Sequence, residues 1–175
     1  MKTIPELKGA VVAMDEQRAK LGKDIGTIRI DVKHLEQMHH EATLEGFTLS
    51  VDEPKQRGGT NTGPSPLTYF LMGAASCFLT QMARATIIRD FKIDTMEITA
   101  RAHVDRAKVR KFVDVIYDIR LTGMETKEGA IQLLHEAEEM CFVHQTLKDA
   151  IPITSNLSLN GTQIATHTLG PDAAK

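Results

Sequence analysis

The run from Leu67 to Leu79, LTYFLMGAASCFL, leaves a chain few ways to fold. Every position in it is apolar or small, and no charged residue occurs between Arg57 and Arg84. A helix that is hydrophobic all round has to be buried all round. The run is entered through GGTNTGPSP, where Ser65 suits a helix cap and Pro66 the first helical position, at which a missing N–H costs nothing. The run is too short, and too closely preceded by prolines, to predict a membrane span. In its middle stands Cys77. A thiol there is either inert packing, the usual state of free cysteine, or a placed reactive group.

Around this helix the periodicity predicts a mixed fold. Ile4, Leu7, Val11 and Met14 fall on one helical face, giving an amphipathic N-terminal helix that docks on a neighbouring surface and ends at Gly22 and Lys23. Ile28, Ile30 and Val32 alternate with charged residues, and Phe47, Leu49 and Val51 alternate again, so a hairpin is expected with its turn inside HLEQMHHEATLEG. After the central helix, Met96–Val104 and Val113–Leu121 alternate as two long antiparallel strands. Ala130, Leu133, Leu134, Ala137, Met140 and Cys141 recur at helical spacing. A short helical piece over 144–150 stops before Pro152, and Ile151, Ile153, Leu157 and Leu159 make a last strand. The acidic Glu136, Glu138 and Glu139 read as a solvent face. Strands paired as hairpins between helices predict an α+β fold of antiparallel sheets wrapped around a long buried central helix. Covering that helix on all sides is hard for one chain of 175 residues, so an intertwined homodimer with the helix at its interface is expected. The expected organisation is a helical extension over 1–25, a main domain over 26–165 and a flexible tail over 166–175.

Composition narrows the partners. Net charge is -2 and the basic residues are scattered, which argues against nucleic acid or an anionic membrane. The first residues carry charges within their apolar part and do not read as a secretory signal. A reducing cytoplasm is therefore expected, where two cysteines are free, redox-active or metal-bound rather than a structural staple. The Gly/Pro loop lacks the Lys-Ser/Thr that a phosphate cradle needs. Cys77, Cys141, His144 and a hairpin histidine make a possible but poorly patterned zinc set; the reading expects no metal and no cofactor.

Three segments, DEPKQRGGTNTGPSPLTYFLMGAASC, AEEMCFVHQTL and IPITSNLSL, together resemble the OsmC/Ohr family of osmotically induced and organic hydroperoxide resistance proteins. The resemblance covers about residues 26 to 160. It implies an intertwined α+β homodimer with each active site at the subunit interface. It also implies a peroxidatic thiol at Cys77 and a resolving thiol at Cys141, acting on organic hydroperoxides and recycled by an external dithiol. The chemistry suits those residue types: a thiolate cleaves the O–O bond to give a sulfenic acid, and a second thiol condenses with it.

The resemblance also implies an arginine on the early hairpin and a glutamate about ten residues before the first cysteine. Here those positions fall near His39 or His40 and on Leu67, beside Thr68. Arg57, His39, His40 and His144 are the expected substitutes. The alternative is a non-catalytic relative that keeps the dimer and binds a lipid-like ligand at its apolar interface.

Overall fold

The computed structural model describes residues 4–21 and 26–171. The expected helix end at Gly22 and Lys23 and the last four residues of the expected tail lie outside them. The chain divides into two compact units. One is Arg18–Met72; the other combines the residues up to Gln17 with those from Gly73 onward. Helix α2 (Pro66–Arg89) is continuous through the division.

The smaller unit holds an antiparallel meander of β1 (Asp31–Glu36), β2 (His39–Leu44) and β3 (Phe47–Val51). The sequence predicts one hairpin here, and there are two. Residues 26–30 lie outside any strand, with Ile28 94% exposed. Instead HHEATL pairs on both sides, with His40 opposite His34 on β1 and opposite Val51 on β3. The extra turn is at Glu45-Gly46, where both φ angles are positive. A two-residue turn of that hand matches the twist of the strands it joins.

The larger unit is built on a four-stranded sheet in the order β4 (Thr95–Asp105), β5 (Lys111–Thr122), β6 (Ile153–Leu159), β7 (Thr162–Leu169). The long β4–β5 pair is antiparallel, as expected. Along β5, Val115, Tyr117, Ile119 and Leu121 are all buried at alternate positions. The β5–β6 pair is parallel, a departure from wholly antiparallel sheets. A parallel neighbour needs a crossover, and α3 (Lys127–Met140) with α4 (Phe142–Leu147) supplies it. The other departure is β7. Thr166–Leu169, expected to fray, complete a hairpin with β6 around Asn160-Gly161, both at positive φ.

Helix α3 starts at Thr126, whose side chain accepts from the Gly129 N–H at 3.1 Å. Its stripe of Ala130, Leu133, Leu134 and Ala137 is fully buried, and it packs against β6 and β7. At the start of α2, Ser65 Oγ accepts from the Thr68 N–H at 3.4 Å, the expected cap. Burial of α2 differs from expectation. Ala74, Ala75, Phe78, Met82 and Ala85 are buried, but Leu67 and Met72 are 42% and 52% exposed. One face is covered, not all of them. By length and composition alone α2 also meets the minimum for crossing a membrane, yet its buried face belongs to a packed protein core.

Helix α1 (Ile4–Leu21) is joined by ion pairs to α2 and to the residue that follows it. Lys8 pairs with Asp90, and Asp15 with Arg84. Of the expected apolar face, Leu7 and Val11 are half-buried and Met14 is 40% exposed.

Candidate functional site

The larger unit brings the two cysteines together. Cys77 is on α2, one residue before the buried Phe78; Cys141 caps the end of α3 and opens α4. Their Sγ atoms are 3.6 Å apart, with the Cys141 thiol donating to Cys77. The two are not equivalent. Cys141 is 1% exposed, whereas Cys77 is half-buried. Burial pushes the Cys141 thiol up to about 12, offset in part by the N–H of His144 and reinforced by the bond to Cys77.

The wall beside the thiols is aromatic. Phe78 stacks on Tyr117 at 5.4 Å between centroids, and the His144 ring lies 5.1 Å from Phe78 and 5.9 Å from Tyr117. All three side chains are essentially inaccessible. Burial, and then the neighbouring Cys141 and Cys77, hold the Tyr117 phenol well above its ordinary range. For His144 the expected proximity to Cys141 is present, through the backbone. Its N–H donates to Cys141 Sγ at 3.5 Å. Neither ring nitrogen has a hydrogen-bond partner among the described residues. Burial, with smaller contributions from His167 and Lys148, lowers this imidazole to about 4. At neutral pH the ring is uncharged and is no source of positive charge.

Arg57, His39 and His40 belong to the smaller unit, and each has a local role there. Arg57 ends the 3-10 turn Lys55–Arg57 and pairs with Glu53 at 3.2 Å. His39 Nε2 is 2.9 Å from Ser50 Oγ. The His40 ring meets His34 edge-on at 5.2 Å. Both histidines are on β2, not in the turn.

A feature missed in the sequence organises the Gly/Pro loop. The Asp52 carboxylate is fully buried and accepts from the N–H groups of Glu53, Thr60 and Thr62 and from both threonine hydroxyls. Burial alone would raise this acid; the donors from Thr60, Thr62 and Glu53 outweigh it and hold the group well below the usual carboxylate range. The loop presses on its own backbone. A Cβ on Gly59 would come within 1.8 Å of the Glu53 carbonyl oxygen, and one on Gly63 within 2.3 Å of that of Ser50. Donors that a phosphate cradle would present outward are spent on an internal carboxylate.

The family profile described as OsmC-like protein matches residues 59–156, which include both cysteines. The chain belongs to the OsmC-like family. No curated protein matches it. Among solved structures, the OsmC-like protein of Mycoplasma pneumoniae is 17% identical and superposes with a TM-score of 0.71, over 78% of this chain and 99% of that one. An organic hydroperoxide resistance protein of Elizabethkingia anophelis, with thiocyanate bound, is 21% identical with a TM-score of 0.65, over 79% and 99%. The organic hydroperoxide resistance protein OsmC of Legionella pneumophila is 20% identical at 0.60, over 78% and 98%. At such identities the likeness is one of fold.

The structure places a third titratable group nearby that the sequence reading missed. Glu138, read as solvent-facing with Glu136 and Glu139, is 2% exposed. It meets His135 and His167 through its Oε2. The missed signal was its spacing: 130, 134 and 138 lie on one helical face.

Proposed function

We propose that this chain is a cysteine-based, thiol-dependent peroxidase for organic hydroperoxides, with Cys77 peroxidatic and Cys141 resolving. The observation that carries the reading is the thiol pair itself. The sulfurs are in contact at 3.6 Å, Cys141 is the hydrogen-bond donor, and Cys77 is the more accessible of the two.

In the first step the Cys77 thiolate attacks the terminal peroxide oxygen. An S–O bond forms, the O–O bond breaks, and the alkoxide leaves and takes up a proton. Cys77 is then a sulfenic acid. In the second step the Cys141 sulfur displaces the hydroxyl as water and an S–S bond forms. An external dithiol reduces that bond and is itself oxidised. The buried, donating Cys141 suits the second role, because it needs only to reach a neighbour already in contact. The apolar α2 that carries Cys77, with Leu67, Phe70 and Met72 exposed on it, favours an alkyl or lipid-like hydroperoxide over hydrogen peroxide.

The exposed Leu67 and Met72 on α2 support a homodimer that covers this helix, and two free thiols suit the reducing cytoplasm. Arg57, His39 and His40 stay the proposed sources of charge for Cys77. Thiol titration of Arg57→Ala and of the His39/His40 double alanine tests them, and an unchanged Cys77 reactivity removes them.

Stopped-flow consumption of cumene hydroperoxide with a dithiol tests the function. Turnover in the parent that drops to background in Cys77→Ser supports it. A second reading, a non-catalytic protein binding an apolar ligand at the dimer interface, draws on the same exposed α2 side chains. Absent turnover together with saturable binding of a fatty-acid probe would favour it.

A further inference from the structure

On the last turns of α3, ahead of Cys141, lies a cluster the peroxidase chemistry does not use. His135 and Glu138 are at i and i+3 on α3, and β7 brings in His167. His135 Nδ1 is 3.3 Å and His167 Nδ1 2.5 Å from the same oxygen, Glu138 Oε2. The two rings meet edge-on with centroids 4.7 Å apart. All three ligand atoms lie within 4.8 Å of one another.

Glu138 is an expensive residue to bury. Its side chain is 3% exposed, and a buried carboxylate is tolerated when it is paired or binds a metal. Here only one oxygen is paired. Oε1 is buried with no hydrogen-bond partner among the described residues. Two imidazoles converge on Oε2; a cation held there by both rings would balance the charge of a carboxylate whose second oxygen has no partner to share it.

The donor set is two imidazoles and one carboxylate, and it opens on solvent. It borders a cleft of about 340 Å³ also lined by Glu139, Gln145, Lys148 and Leu169. Tetrahedral zinc with bonds of about 2.1 Å sets its donors roughly 3.4 Å apart, within the range these atoms already span. Three protein ligands with a fourth position left open is a recurrent zinc arrangement. Glu139 and Lys148 place one charge of each sign on the cleft wall, so neither sign dominates the approach.

We propose that His135, Glu138 and His167 form a binding site for a divalent transition-metal ion, zinc by the character of the donors, with its open coordination position facing the cleft. Binding ties the C-terminal half of α3, which ends on Cys141, to β7. The site is separate from the thiols, and this separation makes it testable.

The test uses the full chain, stripped with a chelator and carrying Cys77→Ser and Cys141→Ser so that no thiolate can bind metal. Calorimetric titration with zinc should show one ion per chain. His135→Asn and His167→Asn should each weaken binding by about 100-fold. His135 is 48% exposed at its side chain, so its replacement leaves the fold intact, which circular dichroism checks. Cobalt should give visible d–d absorption without a thiolate charge-transfer band. The proposal is overturned if the cysteine-free chain binds no zinc, or if it binds zinc equally well after His135→Asn. Peroxidase turnover plays no part in either outcome, so this result and that of the proposed function are read independently.

Discussion

The Cys141 thiol donates a hydrogen bond to the Cys77 sulfur across 3.6 Å. A disulfide needs about 2.05 Å, so bond formation requires a shift of roughly 1.5 Å in side chains already in contact. Limited hydroperoxide should therefore remove both free thiols together and leave an intramolecular disulfide, seen as an intact-mass loss of two hydrogens. In Cys141→Ser the oxidation should stop at a sulfenic acid trapped by dimedone. In Cys77→Ser neither product should form. A dimedone adduct on Cys141 in that last variant would reverse the assigned roles.

The same pair should label unequally. Cys141 is 1% exposed, and burial pushes its thiol up to about 12. Alkylation requires both access and a thiolate. Iodoacetamide at about pH 8.5, an ordinary thiol pKa, should modify Cys77 alone in the folded protein and both cysteines in denaturant. Peptide mass spectrometry separates the sites, and equal labelling under native conditions would contradict the burial of Cys141.

That these two cysteines form a pair was legible through the resemblance of the segments around them; the residues alone put Cys141 at the end of a helical stripe and Cys77 in a run with no polar face. Where each strand lies depended on turn chemistry. Asn160-Gly161 is a strong hairpin signal, and overlooking it hid β7 and with it His167. Glu138 was misread because charge outweighed position: one charged residue among three acids looks solvated, yet its spacing from Ala130 and Leu134 puts it on the buried face. The burial of α2 was over-read for the opposite reason. Apolar composition says that a face must be covered, and cannot say that the same chain covers it.

Asp52 gathers the Gly/Pro loop by accepting from Glu53, Thr60 and Thr62. Asp52→Asn keeps the shape and removes the charge, and its amide NH₂ faces donors instead of acceptors. Residues 53–64 should then be cleaved faster in limited proteolysis, while the sheet β4–β7 of the larger unit keeps its hydrogen-exchange protection. Because the folded acid is held well below its ordinary range, this loop's contribution in the parent is complete above the unfolded carboxyl range and is lost as pH falls from there to the lower folded pKa. Unchanged cleavage in Asp52→Asn would show that the glycine contacts alone hold the loop.

His144 should make the larger unit sensitive to acid. Burial among Phe78 and Tyr117 lowers its imidazole from the ordinary 6.5 to about 4. A base whose folded pKa is depressed binds fewer protons when folded than when unfolded, so folding is favoured as pH rises. Its stabilising effect is therefore complete above about pH 6.5 and is lost as pH falls toward 4. A displacement of that size is worth on the order of 3 kcal/mol across the window. His144→Phe fills the same aromatic site without a titrating group. Urea unfolding in chelator-containing buffer should show the parent losing about 3 kcal/mol more than the variant between pH 7 and pH 4. The variant's thiols should still form the disulfide, because the His144 N–H that contacts Cys141 Sγ is a backbone group that phenylalanine retains. Parallel pH profiles for the two proteins would mean that His144 is already charged, or not buried, in the folded chain.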